Sequence, residues 1–159
     1  MSNNQVTNVV IAGLGGQGVL KASDILADVA FAAGLDVKKS EVHGMSQRGG
    51  SVASDVRFGE HVYSPMVPEG EADYLVVVSS DQVPVNQHLL KSGGTLLEPA
   101  QFDLEKLRNK KSVNVALLGA LSRRLVFPEE TWADAIRRNL PEGLVAVNMD
   151  AFKLGREAK

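Results

Sequence analysis

A chain of 159 residues with 44% hydrophobic and 23% charged side chains can bury its own core, and residues 1–159 read as one globular unit. A formal net charge of -2, with Lys and Arg scattered in small groups, leaves no electrostatic footprint for nucleic acid. Cysteine is absent, which excludes disulfides and thiolate-held zinc or iron–sulfur clusters; His43, His61 and His88 lack ligand spacing, so no metal site is expected.

Val6 to Ala12 is an apolar run that reads as a buried central strand. Gly13-Leu14-Gly15-Gly16-Gln17-Gly18 follows, a G-x-G-x-x-G opening a helix. In that helix Val19, Ala22, Leu26, Val29 and Ala33 recur at helical spacing, and Gly34 stops it. Bare backbone N–H groups at a helix start make an anion site. Three readings stand for the loop: a nicotinamide dinucleotide with Asp36 or Glu41 holding a ribose, another phosphate ligand such as coenzyme A, or a tight turn needing glycine for packing.

Asp36 to Val42 is expected as a second strand, parallel to the first through the helix crossover. Ser40 to Ser51 has no helix or strand period, yet it gathers Glu41, His43, Gln47 and Arg48 among three glycines. Glycines there permit close approach of backbone to a ligand, and the stretch is read as a site rather than a surface turn. Val52, Ser54, Val56 and Phe58 alternate along the next strand. Gly59-Glu60 suits a two-residue turn, with His61 to Ser64 returning as a hairpin. Such a hairpin weakens the nicotinamide reading.

Asp73 to Val78 is a second buried strand. A helix capped by Ser80 or Asp81 is expected to run to Lys91, and Gly93-Gly94 lead to a strand from Thr95 to Glu98. Phe102 to Lys111 is polar and unassigned. Asn114 to Leu125 is a helix, and Pro128 begins another that buries Trp132, Ile136 and Leu140. Val145 to Met149 reads as extended, and Ala151 to Glu157 as a terminal helical turn or two. No apolar run approaches the ~18 residues of a membrane span. MSNNQVTN lacks the charged and apolar regions of a signal peptide, so a cytoplasmic location is expected.

The stretch GLGGQGVLKASDILADVAFAAGLDVKKSEVHGMSQRGGSVASDVRFG resembles the gamma-type domain of 2-oxoacid:ferredoxin oxidoreductases. EVHGMSQRGGSV followed by VYSPMVPEGEAD is similar to the small subunits of the indolepyruvate-specific branch, as are NVALLGAL and the closing NMDAFKLGRE. The resemblance implies an α/β fold: a three-layer domain with a mixed, largely parallel sheet plus a β-hairpin. It implies a subunit, inactive alone, of an enzyme of anaerobic metabolism that converts a 2-oxoacid to acyl-coenzyme A, carbon dioxide and reduced ferredoxin. Thiamine diphosphate and iron–sulfur clusters are then expected in a large partner subunit, which also meets ferredoxin. Coenzyme A is expected at Gly13, Gly15, Gly16, Gln17 and Gly18 and at Gln47, Arg48, Gly49 and Gly50. Arg48 is the candidate for a phosphate, because a guanidinium bonds one bidentately. Glu41 and His43 are read as ordering the loop, and no catalytic residue is assigned. A runner-up function is a stand-alone regulatory module that binds a nucleotide or coenzyme A. The family also carries a longer segment where Pro99 to Val113 stands here.

Overall fold

A computed structural model describes residues 5–43 and 50–158, with His43 by its backbone alone. The elements are β1 (Val6–Leu14), α1 (Val19–Ala32), β2 (Asp36–His43), β3 (Ser51–Gly59), β4 (Ala72–Val77), a short α2 (Val83–Asn86), β5 (Leu90–Leu97), α3 (Val113–Ser122), α4 (Glu129–Asn139) and α5 (Glu142–Glu157). Single 3-10 turns flank α2, and three more connect β5 to α3.

The most apolar strand takes the centre of the sheet. Val9, Val10, Ile11 and Ala12 of β1 are essentially inaccessible, and the strand order is β2-β3-β1-β4-β5. β4 and β5 run parallel to β1, whereas β3 runs antiparallel to both β1 and β2. Four strands therefore point one way and β3 opposes them, which is the mixed α/β sheet expected.

Alternation along the strands splits the core in two. Val9 and Ile11 face α1, α3, α4 and α5 in a large cluster that includes Leu26, Leu118 and Ile136. Its centre is an aromatic chain: Phe58 to Phe127, Phe127 to Trp132 and Trp132 to Phe152, with ring centroids 5.6, 6.4 and 5.7 Å apart. Val10, Leu75 and Val77 face the other way into a smaller cluster, closed by Val67, Val83 and Leu89. The third layer is thus thin, made of short turns and the connection before β4.

Several sequence expectations change. β2 points the same way as β1 but does not pair with it, because β3 lies between them. The hairpin is β2–β3, not Ser51–Phe58 with His61–Ser64. β3 already has a ladder on each edge, so no place remains for a returning strand. Residues after Gly59 are held instead by side chains: Val62 N–H donates to Asp36 at 2.8 Å, Val67 N–H to Asp55 at 2.9 Å, and Arg57 to the Ser64 carbonyl at 2.8 Å.

The helix expected from Ser80 to Lys91 breaks up. Asn86 turns its amide back onto the Gln82 carbonyl at 2.9 Å, a local bond that competes with helix continuation. Leu90 already pairs with Ala72 across a register shift, so β5 begins there rather than at Thr95. Val145 to Met149 is helical, not extended. Asn148, Ala151, Phe152 and Gly155 bury one stripe of α5, and tertiary packing overrides the β-branched pair in Val-Ala-Val.

Candidate functional site

β1 ends where the glycine turn begins, at the carboxyl end of the parallel strands. Leu14 N–H donates to Gln17 Oε1 at 2.7 Å, and Gln17 N–H returns to the Leu14 carbonyl at 3.2 Å, so the turn closes on itself. Gly16 and Gly18 have φ of 86° and 79°, left-handed values that side chains with a Cβ rarely adopt. Gly18 then caps α1, its carbonyl accepting from Ala22 N–H at 3.0 Å and from Asn114 Nδ2 at 3.0 Å. Among the described residues the N–H groups of Gly16, Gly18 and Val19 have no acceptor.

Of the second turn named from sequence, Gly50 is described, and it touches the glycine turn. Gly15 N–H donates to the Gly50 carbonyl at 2.9 Å, which ties the glycine turn to the end of the Ser40–Ser51 stretch. Gln47, Arg48 and Gly49 lie outside the described residues, as does the His43 side chain. Gly13 packs closely: a Cβ there would stand 2.9 Å from Gln17 Oε1 and 3.3 Å from Val78 Cβ. Gln17 is therefore a brace for the turn as well as a wall of the cleft.

That cleft, about 250 Å³, is lined by Gly16, Gln17, Val78, Lys110, Lys111 and Val113. Val113 is the first residue of α3, so the amino ends of α1 and α3 open onto one space. Neither helix has an acidic residue in its first turn, and α1 has no side-chain cap; the 3-10 turn that runs into α3 is capped by Asn109, whose Oδ1 accepts from Lys111 N–H at 2.9 Å. In contrast, α4 carries Glu129 and Glu130 in its first turn, and α5 carries Glu142. Positive dipole ends left without a carboxylate, beside two lysines, define a place for an anionic group.

Lys110 and Lys111 were the part of the site missed from sequence, since Phe102 to Lys111 had no period. A signal was present. Two basic residues directly before a helix oppose its dipole, and an anion between them removes the conflict. Lys110 Nζ is turned onto the Leu104 carbonyl; Lys111 is exposed and has no side-chain partner among the described residues.

The nicotinamide reading loses its geometry. Asp36 lies at the far end of β2, bonded to Val62 N–H and paired with Lys38 Nζ at 3.5 Å. The Val62 bond, then Lys38, hold its carboxyl below the usual range. Glu41 is nearer the site end but pairs with Lys39 Nζ at 3.6 Å, and β3 separates it from β1. A dinucleotide fold needs that carboxylate on the strand beside β1.

Larger clefts occur elsewhere. One of about 610 Å³ opens at the opposite end of β1 between Val6, Phe58, Tyr74, Leu125 and Phe127. Lys91 and Arg124 also line it, but Lys91 is paired with Asp73, and α1 and α3 present their carboxyl ends there, the wrong polarity for a phosphate. Polarity, rather than volume, selects the glycine cleft.

Residues 8–158 match the pyruvate ferredoxin/flavodoxin oxidoreductase family. The chain belongs to that family. It is similar to the indolepyruvate oxidoreductase subunit IorB of Thermococcus kodakarensis, 40% identical with 95% of each chain covered. The matched region there runs to 193 positions against the 159 residues here, so at least 34 positions of that relative have no counterpart. The fold is also that of the gamma subunit of a keto/oxoacid ferredoxin oxidoreductase from Geobacter sulfurreducens. That match has a TM-score of 0.79 and 23% identity over 97% of this chain and 96% of that one. A 2-oxoglutarate:ferredoxin oxidoreductase from Magnetococcus marinus, solved with 2-oxoglutarate, coenzyme A and succinyl-CoA bound, superimposes with a TM-score of 0.82 at 20% identity. It covers 97% of this chain but only 31% of its own.

Proposed function

We propose that this chain is the small subunit of a 2-oxoacid:ferredoxin oxidoreductase acting on arylpyruvates, indolepyruvate among them, and that its glycine cleft holds the phosphates of coenzyme A. On this reading residues 1–159 form one gamma-type domain, working in the cytoplasm. The observation that carries it is the convergence of the α1 and α3 amino ends, both without carboxylates, on Gly16, Gln17 and Lys111. The subunit name of the Thermococcus relative and the coenzyme A of the Magnetococcus complex support the same direction.

The overall reaction takes a 2-oxoacid, coenzyme A and two oxidised ferredoxins to acyl-coenzyme A, carbon dioxide, two reduced ferredoxins and a proton. Thiamine diphosphate in the large subunit supplies the electron sink for decarboxylation, and clusters there pass single electrons to ferredoxin. The residues of this chain bind and orient. N–H groups of Gly16, Gly18 and Val19 face the pyrophosphate, and Lys111 adds a point charge. Arg48 is the proposed partner of the 3′-phosphate; it precedes Gly50, whose carbonyl accepts from Gly15 N–H, by two residues in the sequence. Bound there, coenzyme A would supply the thiol that takes up the acyl group formed on the partner subunit.

The test is reconstitution. The small chain alone should give no acyl-coenzyme A from indolepyruvate with thiamine diphosphate and an artificial electron acceptor. Addition of the large subunit should restore it, with Lys111→Glu raising the KM for coenzyme A and sparing that for indolepyruvate. Turnover without the partner would refute the subunit assignment. Coenzyme A binding with no large partner would favour the stand-alone regulatory module.

A further inference from the structure

We propose that the sheet face opposite the long helices, presenting Val42, Tyr63, Met66 and Val85, is the surface on which the large thiamine-bearing subunit docks. The proposal rests on the functional reading above and goes beyond it by naming the face.

The two faces of the sheet are covered unequally. α1, α3, α4 and α5 all pack on one side, whereas among the described residues the other has only α2, its flanking turns and the connection before β4. Register places Val42 on this thin side: it pairs with Ala53, which packs with Val10 and Val77. The connection crosses the same side, since it is held by Asp55 and Arg57. Tyr63 and Met66 project from it, 84% and 58% exposed. Val85 stands out from α2 at 51% exposed, while its neighbour Val83 packs inward. Large apolar side chains held outward on one layer mark an interaction surface.

The occupant follows from where this face ends. Ser51 donates to Gln82 at 2.9 Å, joining the start of β3 to the turn before α2. Gly50, one residue earlier, is bonded to the glycine turn. Val42 and Val85 therefore stand at the carboxyl rim that the proposed coenzyme A cleft shares, and Met66 and Tyr63 carry the layer toward the opposite end of the sheet, where Val62 is bonded to Asp36. A thiol donor held at that rim has to reach an acyl group on the partner, so the partner must cover ground beside it. A second copy of this chain would bring another coenzyme A cleft and no acyl group.

The test measures binding of the purified large subunit, loaded with thiamine diphosphate and clusters, to small-subunit variants by biolayer interferometry. Met66→Lys and Val85→Lys should each weaken binding at least tenfold with unchanged far-UV circular dichroism. Phe31→Lys and Val126→Lys, exposed apolar positions away from this face, should bind as wild type does. Equal affinity of all four variants would overturn the docking face and leave the subunit reading intact. If wild type itself fails to bind the large subunit, the functional reading falls and the docking face with it. A wild-type homodimer by sedimentation that Val85→Lys dissociates would assign the face to a second copy and also overturn the proposal.

Discussion

Alanine at Gly155 gives opposite signs of stability change depending on whether α3 and α5 cross as described. A Cβ on Gly155 would overlap the Ala116 carbonyl, and one on Gly119 would overlap the Phe152 carbonyl. Both obstacles are backbone, so no rotamer change relieves them. The helices would have to part by about 1 Å, and a gap of that size forfeits a quarter to a half of the dispersion well at each contact it opens. Overpacking of this kind costs about 3 kcal/mol. Replacing glycine by alanine inside a helix returns about 1 kcal/mol of propensity. The net expectation for Gly119→Ala and Gly155→Ala is a loss of about 2 kcal/mol or more. Gly143 of α5 is the internal control, since a Cβ there meets nothing and Gly143→Ala should gain about 0.5–1 kcal/mol. Urea unfolding of the small subunit, followed by circular dichroism, reads all three. Stabilisation by Gly155→Ala comparable to that by Gly143→Ala would refute the close crossing.

In the assembled enzyme Lys111→Ala should raise the Kd for coenzyme A about fivefold, from a screened charge contact of ~1 kcal/mol, and the difference should shrink in high salt; isothermal titration of the complex checks both. Asn114→Ala removes the 3.0 Å bond to the Gly18 carbonyl and should cost about 1 kcal/mol in urea unfolding while also weakening coenzyme A. Burial pushes the Asp55 carboxyl above its ordinary value, against the Val67 N–H bond and Arg57, so the folded state binds more protons than the unfolded state from pH 3.8 up to its raised value. Stability therefore falls as pH rises through that window, and Asp55→Asn should flatten the slope in a pH series of urea midpoints.

The parts legible in sequence were those whose cause is local. The apolar run of β1, the glycine turn and the helical spacing of α1 each stand where expected, because turn chemistry and a short-range period determine them. The errors concern competition between distant segments. Nothing in Ser51 to Phe58 says that both its edges are taken, yet β1 and β2 occupy them and exclude His61 to Ser64. Nothing within Val145 to Met149 shows that Gly155 must lie on Ala116, which makes a helix of the whole segment. Lys110 and Lys111 were obscured for the same reason: they become part of a site only when α3 is placed beside α1.

The position of β3 also decides which ligand the glycine turn can take. In a dinucleotide fold the strand after the first helix lies beside the first strand, and its terminal carboxylate meets the ribose. Here β3 is inserted, so the neighbouring backbone at that rim is Ser51, preceded by Gly50. In place of a carboxylate there is the Gly50 carbonyl, bonded to Gly15. The other neighbour, β4, ends at Val77 near the 250 Å³ cleft and leads to no acidic lining residue. Donors then surround the turn on the α1, α3 and lysine sides, and the described lining offers no anion to receive a ribose hydroxyl. A ligand rich in phosphate fits such a rim better than one recognised through its sugars, which is the ground for proposing coenzyme A rather than a nicotinamide at this G-x-G-x-x-G.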